Sequence, residues 1–227
     1  MTPLGLLFNG LALAGGGFVY WRFAEPVVDK NIRLAAAMGL LLGALFARLA
    51  ELVAERAPLV LILHLELGGR TILGGVLGGW IAVELSKRHL GIRTPTGDAF
   101  ALALAAGEAV GRIGCFFNGC CYGRESSLPW AVFQHGGWRH PTQIYSSLAA
   151  GAILVTLLVA RTRVAKGQLF AIYLVLFGLA RLGLEPLRAD VGGGSAALAM
   201  TAATALIVGG CLLWRRRATP ALSGVPG

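Results

Sequence analysis

The sequence predicts an all-α integral membrane protein of about seven transmembrane helices, with its N-terminus outside, its C-terminus inside and a small outer loop region. Three observations carry that expectation. Of the 227 residues, 56% are hydrophobic and only 14% are charged, against about 45–50% and about 25% in a soluble domain. Apolar stretches near the roughly 20 residues that a spanning helix needs recur along the chain. The basic residues also cluster in alternate short loops, as the positive-inside rule requires. This balance argues against a soluble globular enzyme, a disordered chain and a coiled coil. In a soluble protein the net charge of +9 would suggest nucleic acid. Here it reports topology and contact with anionic headgroups, so no nucleic-acid partner is expected.

Seven segments qualify as spans: 4–21, 34–54, 68–85, 98–118, 146–160, 168–187 and 196–214. The first resembles a signal peptide in length. It lacks a basic leading region, however, and runs into Tyr20, Trp21 and Arg22 instead of a small-residue cleavage site, so it reads as retained. The third is glycine-rich. Before it, Leu59 to Leu67 is too short to span and carries His64 and Glu66. Arg22, Lys30 and Arg33 follow the first span, and Lys87, Arg88 and Arg93 follow the third. Arg161, Arg163 and Lys166 follow the fifth, and Arg215, Arg216 and Arg217 end the seventh. These twelve of the 20 basic residues mark the inner face. Residues 1–217 therefore read as one polytopic membrane domain, and 218–227 as a short disordered cytoplasmic tail. Trp130, Phe133 and Trp138 in the outer loop read as an interfacial aromatic belt.

Three arginines fall within spans, where a charge costs roughly 2.5–3.5 kcal/mol on the insertion scale. Helical spacing offers each a carboxylate: Glu51 for Arg48, Glu108 for Arg112 and Glu185 for Arg181. Small residues flank two of them, Gly111 and Gly114 beside Arg112 and Ala180 and Gly183 beside Arg181. Such residues admit a neighbouring helix or a ligand. Arg112 and Arg181 both belong to the outer half of their spans. Two guanidiniums at one depth would make an anion site, and lipid phosphate is the anion most available there.

The stretch from Gly111 to Arg124 is the densest in signals. Its glycines at 111, 114, 119 and 123 suggest a helix that breaks at the membrane surface, which is tolerated only inside protein or beside a cavity. Asn118 offers amide donors and an acceptor. Arg139, His140, Thr142, Gln143 and Tyr145 form a second polar cluster, and Pro141 is suited to start the next helix.

These residues resemble the prolipoprotein diacylglyceryl transferase family. The family signature is similar to G-R-L-G-N-F-x-N-G-E-x-x-G-R, and this chain reads Gly111-Arg112-Ile113-Gly114-Cys115-Phe116-Phe117-Asn118-Gly119-Cys120-Cys121-Tyr122-Gly123-Arg124. The family's R-H-P-S-Q-L-Y-E resembles Arg139 to Ser146, and its G-x-x-R-F-x-x-E-x-x-R resembles Gly178 to Arg188. The resemblance implies a seven-span protein of the bacterial inner membrane. It implies transfer of diacylglycerol from phosphatidylglycerol to the lipobox cysteine of a prolipoprotein, whose signal peptide would then be a partner. The chain also departs from the pattern. Leu73 stands where the family's H-G-G has its histidine, Cys115 and Cys120 replace an asparagine and a glutamate, and Phe8-Asn9-Gly10 replaces an aromatic W-Y-G. The outer loop is shorter than the family's. These departures leave open a lipid-modifying enzyme with another acceptor, or a lipid-binding or partner-docking protein without catalysis.

Under the transferase reading, Arg112 and Arg181 bind the lipid phosphate, and Asn118 and Gln143 orient it. Glu108, Glu185, Arg139, Tyr145, Gly111, Gly114, Gly119 and Gly123 support the site. The acceptor thiol needs a base or a nearby cation to become a thiolate, and His140 and His64 are the candidates. No cofactor or metal is expected. Cys115, Cys120 and Cys121 read as small residues in a tight turn or as a structural disulfide. A soft-metal site and a thiol that takes part in transfer are further options, although the spacing is not a recognised zinc pattern. Cys211 reads as helix packing.

Overall fold

In the computed structural model, residues 2–24, 30–54, 72–189 and 193–218 are described. His64, Glu66, Arg56, Arg70 and the expected tail from 219 onward lie outside them. Seven helices follow in order: α1 (Pro3–Phe23), α2 (Lys30–Ala54), α3 (Ile72–His89), α4 (Gly97–Phe117), α5 (Thr142–Ala160), α6 (Gln168–Leu184) and α7 (Gly193–Ala218). Among the described residues, all but α3 are long and apolar enough to cross a bilayer. Glu84, Lys87 and Arg88 in the last turns of α3 set it apart, and residues 68–71 of the expected third span lie outside the described chain. Among the described residues, the strand structure is a hairpin between α4 and α5. Its strands are β1 (Val132–Gln134) and β2 (Gly137–Arg139), with Phe133 opposite Trp138. His135 (φ 51°) and Gly136 (φ 78°) form its two-residue turn, in which both centres take the positive φ that such a hairpin requires.

Contacts group the described chain into two units. The first holds α1, α4, the hairpin, α5, α6 and the later part of α7. Here α4 is central and packs on α1, α5 and α6. Glycines let α1 and α4 touch along their backbones. A Cβ on Gly16 would meet the Ala103 carbonyl at 3.1 Å, and one on Gly114 would meet the Gly5 carbonyl at 3.1 Å and Asn9 Oδ1 at 2.7 Å. Thr2 caps α1 by accepting from the Gly5 N–H at 3.0 Å, with Pro3 in the first turn. Asp98, in the first turn of α4, accepts from the backbone N–H groups of Gly167 and Phe170 and so ties down the start of α6.

The second unit holds α2, α3 and the first turns of α7. Its two longer helices also meet through glycine: a Cβ on Gly43 would lie 3.1 Å from the Gly75 carbonyl and 3.2 Å from Gly79 Cα. Leu73 is buried in this unit, and so is Arg48; the side chain of Glu51 lies outside the described residues. Elsewhere large apolar side chains point outward, including Leu13 at 80% exposure and Leu148 at 68%. In a soluble protein that would be a liability. Around a bundle of spanning length it is the lipid-facing coat.

Candidate functional site

Arg112 sits on α4, one turn after Glu108, and both are buried. Its Nε and Nη2 donate to Glu108 Oε1 at 3.2 and 3.0 Å. Arg181, near the end of α6, pairs forward with Glu185, Nη2 to Oε2 at 2.7 Å. Glu185 opens a short 3-10 turn, Glu185–Leu187, that extends α6. The i,i+4 spacing makes each pair local, and both pairs keep charge tolerable within an apolar helix. The fold then brings them together. Arg112, Glu108 and Arg181 line one pocket between α4, α5 and α6, with Ser146, Phe177 and Ala180 among its walls. As packed, it leaves room for little more than a water molecule, so a phosphate enters only as these side chains adjust.

The other expected residues lie around the broken end of α4. The helix stops at Phe117 and the chain reverses at Gly119, with φ +67°. Asn118 Oδ1 accepts from the backbone N–H of Thr2 at 2.9 Å, so its side chain fastens the start of α1. Gln143 is fully buried and donates to the Cys120 carbonyl at 2.8 Å and to Gln134 Oε1 at 3.2 Å; its own Oε1 is buried without a partner. Arg139 donates to the Gln134 carbonyl at 3.0 Å, lies over the Tyr122 ring and reaches Glu125 at 3.6 Å. Gly123 lies against His140, where an added Cβ would overlap that residue. His140 Nδ1 is 3.5 Å from the Tyr145 hydroxyl, which accepts from Trp130 Nε1 at 2.7 Å. None of Asn118, Gln143, Arg139, His140 and Tyr145 lines the arginine pocket. Of the expected residues, the pocket therefore unites Arg112, Arg181 and Glu108.

Sequence reasoning gave no role to two residues at the ends of the matched patterns. Ser146, the last residue of the Arg139–Ser146 match, lines the pocket with its hydroxyl on the Thr142 carbonyl at 2.8 Å. Arg188 is buried at 8% exposure, and its segment pairs with the chain after α4: the Arg124 N–H donates to the Leu187 carbonyl at 2.8 Å and the Ala189 N–H to the Tyr122 carbonyl at 3.1 Å. The thiols of Cys115, Cys120 and Cys121 all lie within 4.8 Å of one another and are unbridged. The Cys121 thiol is held well below its ordinary pKa, chiefly by hydrogen bonding from Cys115, then from Cys120, with Arg188 and Arg112 adding positive charge. Cys120 is pushed up, first by its hydrogen bond with Cys115 and then by Cys121.

Spanning helices around a pocket lined by two arginines define a polytopic helical membrane protein with an internal cationic site. Residues 5–216 match the family described as prolipoprotein diacylglyceryl transferase, and the chain belongs to that family. It is similar to the phosphatidylglycerol–prolipoprotein diacylglyceryl transferase of Tropheryma whipplei strain Twist, at 31% identity over 85% of this chain and 79% of that protein. It is likewise similar to the proteins of that name from Methylocella silvestris, at 28% over 96% of this chain and 93% of that protein, and from Finegoldia magna, at 33% over 67% and 63%.

Proposed function

We propose that this chain transfers the diacylglyceryl group of phosphatidylglycerol to the lipobox cysteine of a prolipoprotein. The observation that carries the reading is the pocket in which Arg112 and Arg181 converge. Family membership supplies the reaction class. The acceptor thiolate attacks the glyceryl carbon attached to phosphate. The carbon–sulfur bond forms as the carbon–oxygen bond breaks, and glycerol phosphate leaves with the bonding electrons. Charge grows on the departing phosphate, and the two guanidiniums of the pocket stabilise it. The thiol proton passes to a base, for which His140 is the described candidate and His64 the other. Asn118 and Gln143 serve this site indirectly, Asn118 from the end of α4 by fastening Thr2 before α1 and Gln143 from the start of α5 by holding the Cys120 carbonyl. Positive-inside counting supports an N-terminus outside and a C-terminus inside, and family membership supports residence in the bacterial inner membrane.

Leu73, where the family's histidine falls, favours one alternative: a pocket that binds phosphatidylglycerol without turnover. Incubating the purified protein with phosphatidylglycerol and a lipobox peptide decides between them. The transferase reading expects the peptide mass to rise by one diacylglyceryl group. Phosphatidylglycerol retained by the protein without any lipidated peptide would overturn it in favour of binding alone.

A further inference from the structure

The three thiols at the end of α4 have no part in the transfer chemistry above, and their arrangement is unusually well held. Cys115 stands in the last turn of α4, which ends at Phe117. Gly119 takes φ +67° and sends the chain back, so that the Cys120 N–H donates to the Cys115 carbonyl at 3.2 Å. Cys121 follows at φ +60°, a left-handed backbone that is uncommon for a residue other than glycine and persists only where its surroundings enforce it. Two side chains from the start of α5 do so: Thr142 Oγ1 donates to the Cys121 carbonyl at 2.7 Å and Gln143 Nε2 to the Cys120 carbonyl at 2.8 Å. The result is three sulfurs within 4.8 Å of one another. A trigonal ion with metal–sulfur bonds of about 2.3 Å spaces its sulfurs about 4 Å apart, so closing on such an ion asks for only small side-chain movements.

Ligand type and ligand count narrow the ion. Among the described residues no fourth histidine, cysteine or carboxylate joins the group, whereas structural zinc closes a shell of four. Thiolates select soft ions, and monovalent copper accepts sulfur ligands readily. We propose that Cys115, Cys120 and Cys121 form a tris-thiolate site for one Cu⁺ ion. On binding, each ligand sulfur gives its proton to water and no redox change occurs. The site is independent of the transferase reading.

The test uses the full chain in detergent, reduced and kept free of oxygen, titrated with Cu⁺ against a Cu⁺-specific chelator. The expected result is one Cu⁺ per chain, with X-ray absorption showing three sulfur neighbours at about 2.3 Å. Cys115→Ser, Cys120→Ser and Cys121→Ser should each weaken retention at least a hundredfold. Cys211→Ser, far along the sequence on α7 and outside the cluster, should leave it unchanged. The wild-type stoichiometry and sulfur count stand even if a variant fails to fold. The proposal is overturned by sub-stoichiometric copper, by two sulfur neighbours instead of three, by preference for Zn²⁺ over Cu⁺, or by a disulfide among these cysteines in protein taken from membranes without reductant.

Discussion

Arg112 and Arg181 share a pocket and a pairing rule, yet their surroundings differ. Arg112 gives both Nε and Nη2 to Glu108, which precedes it on the helix, the order that the helix dipole favours. Arg181 gives Nη2 to Glu185, which follows it, and its Nε is buried without a hydrogen-bond partner. The small residues beside each differ as well. Gly114 is closed off by Asn9, Gly5 and Phe8 of α1, whereas Gly183 is exposed with nothing near its missing Cβ. The comparison separates two uses of the same sequence features. Around Arg112 they serve packing and leave the guanidinium saturated at those two donors. Around Arg181 they leave a donor uncommitted and a surface open to lipid. Arg181 is therefore expected to make the first contact with a phosphate, and Arg112 to hold the wall behind it.

The largest effect that would sharpen this contrast is on stability. Glu108→Leu strands Arg112 as a buried, uncompensated charge, with an expected loss of about 3–5 kcal/mol, read as a lowered melting temperature in detergent. Next is Arg181→Ala, which should cut diacylglyceryl transfer by about 10²–10³, the usual cost of removing one donor to developing charge. Peptide lipidation assays measure it, and unchanged activity would break the division of roles. Gly114→Ala should cost about 1–3 kcal/mol, because α1 must move away from α4; an unshifted melting curve would show that the seam is loose. The smallest effect belongs to Gly183→Ala, expected within about 0.5 kcal/mol of wild type. A loss as large as that of Gly114→Ala would abolish the distinction.

Much of the architecture follows from one-dimensional information because it depends on local terms. Apolar length yields the spans, since backbone groups in lipid must be satisfied within their own helix. Spacing of four yields Glu108 with Arg112 and Arg181 with Glu185, since helix geometry alone puts such residues on one face. Pro141 does precede the first turn of α5, and α4 does break within the glycine-rich stretch. The charged end of α3 was equally visible as residues, but its consequence for spanning depends on where the helix begins and ends.

Tertiary structure decided what those parts face. That Arg112 and Arg181, 69 positions apart in the sequence, line one pocket depends on how α4 packs with α6. Asn118 and Gln143 carry amides suited to a ligand, and only long-range packing turned them toward Thr2 and Cys120. The cysteine spacing matches no recognised metal pattern, because the positive φ at Gly119 and Cys121 and the grip of α5, not the interval between residues, bring the three sulfurs together. The sequence by itself determined helices and family, which rest on composition, motifs and interactions within a few residues. Convergence of distant side chains required the fold, since it depends on which helices pack and in what register, information spread over the whole chain.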